Sequence, residues 1–269
     1  MTVAAHADLY RRAIKRRPGT ELVCEYVFRP TAQLVVLALR PLRVAPPAVV
    51  LANAACGLVG AVAIARGNLV AGALLLQAKT LLDNADGQLA RATGRVSVLG
   101  RYLDSESDLL VNAALFAGLG RVTGDYVLAA AGFVVLTLVL SVDFNLALLY
   151  RRERGEDMEA TPPAGGLAGI LARIYGVVYA PHDRLVERFV GGRLQRAGAS
   201  REARLAYHDR STISVLANFG LSTQLAVLGL CLVVGNPAAY LWLVLACGAA
   251  LVPLAVRREL RLRAVPARP

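Results

Sequence analysis

The sequence predicts an all-α integral membrane protein with six transmembrane helices, an N-terminal interfacial amphipathic helix and both termini in the cytoplasm. Three observations carry this prediction. Hydrophobic residues fill 56% of the 269 positions, charged ones only 18%, and mean hydropathy is +0.51, which removes the chain from the ordinary soluble class. The apolar residues gather in runs of roughly 20, the length a bilayer core needs at 1.5 Å per residue. Basic residues are also distributed unevenly: 27 of the 30 Lys and Arg fall before Pro46, in Arg91 to Arg101, in Arg151 to Arg210 or after Val256. If alternate loops face alternate sides, all 27 share one side, with Arg66 and Arg121 alone on the other, the positive-inside pattern.

Residues 1–45 read as a cytoplasmic N-terminus and interfacial helix. Met1 to Pro18 is polar and basic, without the apolar core of a signal peptide. Glu21 to Leu39, interrupted by Pro30, is too polar in its first half to span and reads as an amphipathic helix along the inner interface. Residues 46–150 hold spans one to four: Pro46 to Ala65, Leu69 to Ala90 after the tight turn Arg66-Gly67-Asn68, Arg101 to Gly120, and Tyr126 to Tyr150. Residues 151–210 form a cytoplasmic insertion of mixed charge, broken at Pro162-Pro163-Ala164-Gly165-Gly166, with amphipathic pieces at Leu167 to Tyr179 and Arg184 to Phe189. Residues 211–256 supply spans five (Ser211 to Val234) and six (Ala239 to Val256), and 257–269 are a basic cytoplasmic tail.

The formal charge of +11 therefore reports topology and attraction to anionic headgroups, and without an aromatic-basic platform it excludes nucleic acid as the partner. Cys24, Cys56, Cys231 and Cys247 are scattered and unpaired in spacing, so they read as small core residues.

Against this background Asp83, Asp86, Asp104 and Asp108 stand out. A charged side chain at the centre of a membrane helix costs roughly 2.5–3.5 kcal/mol on insertion scales, so four of them need offsetting partners. On helices, spacings of three and four put each pair on one face. Folding spans two and three back on their short loop brings both pairs to similar depth, roughly 5 to 12 Å from the inner ends. Clustered carboxylates suit hard divalent ions such as Mg2+, Mn2+ or Ca2+, and two such ions would neutralise all four. A paired-metal centre of this kind supports phosphoryl displacement. Gly87 and Ala90 clear space for a flat nucleotide or a neighbouring helix, Gly100 does the same at the start of span three, and Arg91 can pair with phosphate oxygens.

These residues resemble the signature of the CDP-alcohol phosphotransferase (CDP-alcohol phosphatidyltransferase) family, D-x2-D-G-x2-A-R-x8-G-x3-D-x3-D. All eight fixed positions match, at Asp83, Asp86, Gly87, Ala90, Arg91, Gly100, Asp104 and Asp108. The resemblance implies that Asp83, Asp86 and Asp104 are metal ligands for two divalent cations, Mg2+ or Mn2+. It makes Asp108 both the completing ligand and the catalytic general base, has Gly87 and Arg91 contact the CDP moiety, and puts Ser97 near the diphosphate. It further implies a CDP-linked donor, an alcohol acceptor, release of CMP in phospholipid biosynthesis, and a homodimer in the inner membrane with its active site facing the cytoplasm. CDP-diacylglycerol is the expected donor; transfer from a CDP-linked small alcohol is the alternative. Two departures stand against a named subfamily. The Pro-Asn-x-x-Thr-like segment at the start of span one is replaced by Pro46-Pro47-Ala48-Val49-Val50, leaving Asn53 as the available substitute, and Leu109 and Asn112 follow the last aspartate where many members carry Arg and a further acid.

Outside the motif, Asp143 in span four and Arg151 and Arg210 at the inner ends of spans four and five are candidates for the acceptor site. Lys79, one turn before Asp83, reads as a neutralising neighbour or a snorkelling side chain. Ser214, Asn218 and Ser222 make a polar stripe at helical spacing, and His182 and His208 are too isolated to be ligands. Two rivals are a non-enzymatic scaffold, which the intact motif disfavours, and a transporter, disfavoured because no broken-helix pair is evident.

Overall fold

In the computed structural model the described residues are 10–11, 13–14, 17–156 and 165–265, and their regular structure is entirely helical. Much of the Met1 to Pro18 segment, the Pro162 to Ala164 part of the breaker and the end of the basic tail lie outside the described residues. A π-helical turn, Cys24–Phe28, runs into α1 (Arg29–Leu39). Then come α2 (Pro46–Ala65), α3 (Leu69–Ala92), α4 (Val98–Thr123), α5 (Tyr126–Glu153), α6 (Gly166–Val178), α7 (Ala180–Arg196), α8 (Arg201–Tyr207), α9 (Arg210–Ala217), α10 (Leu221–Val233), α11 (Pro237–Ala249) and α12 (Leu251–Ala264).

Four helical stretches are long and apolar enough to cross a membrane: Pro46–Ala65, Tyr126–Glu153, Arg201–Val233 and Pro237–Ala264. The expected second and third spans are the 24-residue α3 and 26-residue α4, each about 36 Å or more in length. They are not among the four, because the lysine and aspartates they carry lower their apolar character.

The core lies where α2, α3, α4, α5, α10 and α11 converge on fully buried side chains such as Ile64, Leu76, Leu115, Leu225 and Tyr240. Helix α2 packs along both α3 and α4, so the two acid-bearing helices share one neighbour. The turn between α2 and α3 depends on Gly67, whose φ of 81° lies where a Cβ would be strained.

Several expectations need correction. Pro30 does not end the N-terminal helix: the chain is helical on both sides of it, and the ladder widens to a π turn over Cys24–Phe28 just ahead, where the Arg29 amide donates to the Cys24 carbonyl. The helical piece expected at Arg184 to Phe189 extends over all of α7, since Val190 and Leu194, four apart, are both buried and fix the helix through Gly191 and Gly192. The fifth span is broken at Asn218–Gly220, so Ser214, Asn218 and Ser222 do not share one continuous helix. The break is held from outside: Asn218 Nδ2 donates to the carbonyls of Thr20 (2.8 Å) and Ser214 (2.7 Å), and its Oδ1 accepts from the Leu22 amide (3.0 Å). Spans five and six are each divided, at Asn218–Gly220 and at Ala250, so the absence of a broken-helix pair does not count against a transporter. The sixth span continues as α12 well into the expected tail, where the buried Arg258 guanidinium lies 4.0 Å from the Tyr207 ring and donates to the Tyr207 carbonyl.

The insertion is not detached. Helix α6 packs along α4, α7 along α5 and α8 along α12, and Tyr179 Oη donates to the Ser105 carbonyl at 3.3 Å, next to Asp104.

Candidate active site

Helices α3 and α4 are joined by the short Thr93–Ser97 connection, and three of their four motif aspartates come together. Asp83, Asp104 and Asp108 each present a carboxylate oxygen, all within 4.8 Å of one another, a grouping able to hold a metal ion. Asp86, three residues further along α3 than Asp83, is outside that grouping. It is 6% exposed, and among the described residues its Oδ2 has no hydrogen-bond partner; nor has Oδ1 of Asp104. Buried carboxylate oxygens without donors are costly unless a cation or proton meets them. Hard anionic oxygens left open in this way fit a divalent ion.

Two side chains hold this acidic centre from within. Lys79 is completely buried, so it does not snorkel; its Nζ lies 3.2 Å from Asp83 Oδ1 and 2.5 Å from Asp108 Oδ1, joining α3 to α4. Asn53 on α2 is buried and donates from Nδ2 to Asp83 Oδ1 at 3.1 Å. Asn53 therefore stands against the first aspartate of the motif. Gly57, one turn further along α2, leaves the slot for the lysine stem: a Cβ there would lie 2.5 Å from Val111 Cγ1 and 3.3 Å from Lys79 Cγ.

Arg91 folds back over Gly87. A Cβ at Gly87 would lie 3.2 Å from Arg91 Nη1 and 3.4 Å from Nη2, and Arg91 Nε donates to the Ala13 carbonyl. The half-buried Ala90 lies on the same turn. Ser97 caps α4, its Oγ accepting from the Gly100 amide at 3.0 Å, and a Cβ on Gly100 would meet nothing but that Oγ. A hydroxyl engaged this way is explained by the helix end alone.

At the C-terminal end of α5 and the N-terminal end of α9, a pocket of about 330 Å³ is lined by Arg17, Pro18, Tyr150, Arg151, Glu156 and Arg210. Two of these, Arg151 and Arg210, are the expected acceptor candidates. The N-terminal segment supplies Arg17. Glu21, 1% exposed, pairs with Arg17 at 2.9 Å and accepts from the Thr223 amide and hydroxyl on α10. Burial pushes its carboxyl above the usual glutamate range, against the pull of Arg17. Arg17 and Glu21 were not legible as site residues; the one signal was an unexplained charge pair at i, i+4 just ahead of the first helix.

A sequence profile described as CDP-alcohol phosphatidyltransferase matches residues 43–184, more than half of the chain and all of the aspartate motif. The chain belongs to the CDP-alcohol phosphatidyltransferase family. The match continues well into the insertion, which carries more of the family likeness than its sequence alone conveyed. Among similar proteins, the bifunctional IPC transferase and DIPP synthase of Rubrobacter xylanophilus is 31% identical over 155 residues, covering 58% of this chain and 32% of that protein. The archaetidylinositol phosphate synthase of Aeropyrum pernix is 37% identical over 89 residues (33% of this chain, 41% of that protein). That of Methanothermobacter thermautotrophicus is 34% identical over 95 residues (35% and 44%). The chain thus spans less than half the length of each of these relatives. Family membership together with four long apolar helices among the described residues marks a membrane-embedded chain of this family.

Proposed function

We propose that this chain transfers a phosphatidyl group from CDP-diacylglycerol to the hydroxyl of a phosphorylated polar alcohol, releasing CMP, at the cytoplasmic face of the inner membrane. The observation that carries this reading is the meeting of Asp83, Asp104 and Asp108 from α3 and α4, in a chain that also has an arginine-lined pocket. The first feature suits a diphosphate, and the second an acceptor that is itself anionic. Relatives named archaetidylinositol phosphate synthase support an acceptor of that class.

Asp83, Asp86, Asp104 and Asp108 would hold two divalent cations, Mg2+ or Mn2+. When bound, such ions offset diphosphate charge and stabilise the oxygen that leaves with CMP. Arg91, kept close to the α3 backbone by Gly87, would bind the CDP phosphates, with Ala90 and Gly100 leaving room for the nucleotide. Ser97 belongs to the same expectation but has its oxygen committed to the α4 cap. Asp108 would take the acceptor proton through Oδ2, since Oδ1 faces Lys79. As the acceptor oxygen bonds to the phosphorus distal to cytidine, the bond to the CMP oxygen breaks, and the proton remains on Asp108. Arg17, Arg151 and Arg210 would bind the acceptor phosphate, and Asp143 an acceptor hydroxyl. Six spans with both termini cytoplasmic, an N-terminal interfacial helix and a homodimer complete the proposal, supported by the positive-inside charge pattern and the family resemblance.

The test is CMP release by the purified protein with a panel of CDP donors and alcohols. CMP formed with CDP-diacylglycerol and a phosphorylated polyol supports the reading. CMP formed only from a CDP-linked small alcohol would reverse donor and acceptor, and none from any pair would overturn the activity.

A further inference from the structure

The acidic centre already contains a cation of its own. Lys79 reaches it from one turn before Asp83 on the same face of α3, its stem lying in the slot that Gly57 opens on α2 and its ammonium between Asp83 and Asp108. With no exposed surface, it has no route to water along the helix. Oδ1 of Asp83 is satisfied twice, by Lys79 and by Asn53, which uses both of its lone pairs. Two fully buried oxygens, Oδ1 of Asp104 and Oδ2 of Asp86, have no donor among the described residues. The centre is therefore lopsided: protein groups meet Oδ1 of Asp83 and Oδ1 of Asp108, whereas no described donor meets the buried oxygens of Asp86 and Asp104.

We infer that Lys79 makes the two metal positions unequal: it holds the Asp83–Asp108 edge as a built-in cation, so that the free protein takes one divalent ion, and a second enters only with the donor diphosphate. The inference rests on the proposed metal-dependent transfer. Sterically, an ion bound to the same two Oδ1 atoms from the lysine side, at the roughly 2.0–2.1 Å of a magnesium ligand, would overlap the ammonium. In charge, four ionised carboxylates and one ammonium leave three negative charges. One divalent ion brings this to minus one, and a second would leave an uncompensated positive charge in a largely buried site, which is unfavourable. A diphosphate supplies the missing negative charge. Without Lys79, two divalent ions would balance the four carboxylates with no nucleotide present.

Electron paramagnetic resonance of Mn2+ titrated into metal-stripped full-length protein in lipid nanodiscs tests this, with CDP as the nucleotide probe. Wild type should bind one Mn2+ per chain, with any second ion at least about tenfold weaker, as expected for one added like charge at close range. Added CDP should bring in the second ion, seen as the spectrum of a coupled Mn2+ pair. Lys79→Met should bind two ions without CDP, whereas Lys79→Arg should keep the one-ion behaviour. Wild type that loads two ions of equal affinity without CDP, or no second ion with it, would overturn the inference, and this wild-type result stands even if Lys79→Met fails to fold. The same preparation is assayed for CMP release. Turnover with two-ion loading in the absence of nucleotide sinks the inference alone, whereas absence of turnover with every donor sinks the activity on which it rests.

Discussion

The acidic centre and the arginine-lined pocket are both polar places in an apolar chain, but they are built in opposite ways. The centre takes its charges from two consecutive helices, α3 and α4, with Lys79 buried between them and Asn53 holding Asp83 from α2. The pocket collects Arg17 from the N-terminal segment, Tyr150 and Arg151 from the end of α5 and Arg210 from the start of α9, residues nearly two hundred positions apart. The first is rigid because each group is fixed by its own helix. The second exists only while the N-terminal segment is tied down, through Glu21 to Thr223 and through Asn218 to Thr20 and Leu22. Chemistry is thus expected to depend on the centre, and acceptor affinity on the pocket.

Breaking the centre should have the largest effect. Asp108→Asn should lower turnover by about 10²–10⁴-fold, the usual worth of a general base, while metal and CDP binding persist. Asp83→Ala should weaken Mn2+ binding itself, measured by titration, and equal metal loss in both variants would contradict the division of roles. In the pocket, Arg17→Ala or Arg151→Ala should raise the KM for a phosphorylated acceptor by about 10- to 100-fold, from a lost charged hydrogen bond of roughly 1.5–3 kcal/mol. CDP affinity should change little, and a fall in CDP affinity with unchanged acceptor KM would reverse the assignment of the two regions.

Smaller effects sharpen the same contrast. Gly87→Ala meets only the flexible end of Arg91, so it should weaken CDP binding several-fold, by about 1 kcal/mol as for one hydrogen bond, without moving the melting temperature. Glu21, half of the tie under the pocket, has its folded pKa raised by burial from the ordinary 4.5. The folded state then holds a proton that the unfolded chain has already released, so Glu21 contributes most below the unfolded value and loses that contribution as pH rises through the folded one. Thermal melts should show wild type losing stability relative to Glu21→Gln as pH increases above about 4.5, and parallel curves would contradict this. The smallest change concerns Ser97→Ala, which should cost about 1 kcal/mol of stability for the lost cap and leave CDP binding intact; weakened CDP binding instead would return Ser97 to the diphosphate.

The same contrast explains what could be read from the sequence. Asp83, Asp104 and Asp108 are local: helical spacing plus one short loop is enough to bring them together, while Asp86 stays outside their group. Lys79 was visible as a neighbour of Asp83, but its contact with Asp108 depends on Gly57 opening the interface with α2, which helical spacing does not encode. The break at Asn218–Gly220 was missed because Ser211 to Val234 is apolar and of spanning length throughout, and what stabilises the break is the distant Thr20–Leu22 backbone. Arg17 and Glu21 were missed for the same reason, since their partners lie on α10 and around Tyr150.

The most direct measurement is CMP release by wild type and Asp108→Asn in the same lipid, with Mg2+, CDP-diacylglycerol and a phosphorylated polyol. Steady CMP formation by wild type is expected, stopped by a chelator, restored by Mg2+ or Mn2+, and nearly absent in Asp108→Asn while that variant still binds metal. Equal CMP formation by the two proteins would contradict a reaction at the α3–α4 carboxylates, as would failure of the chelator to stop it.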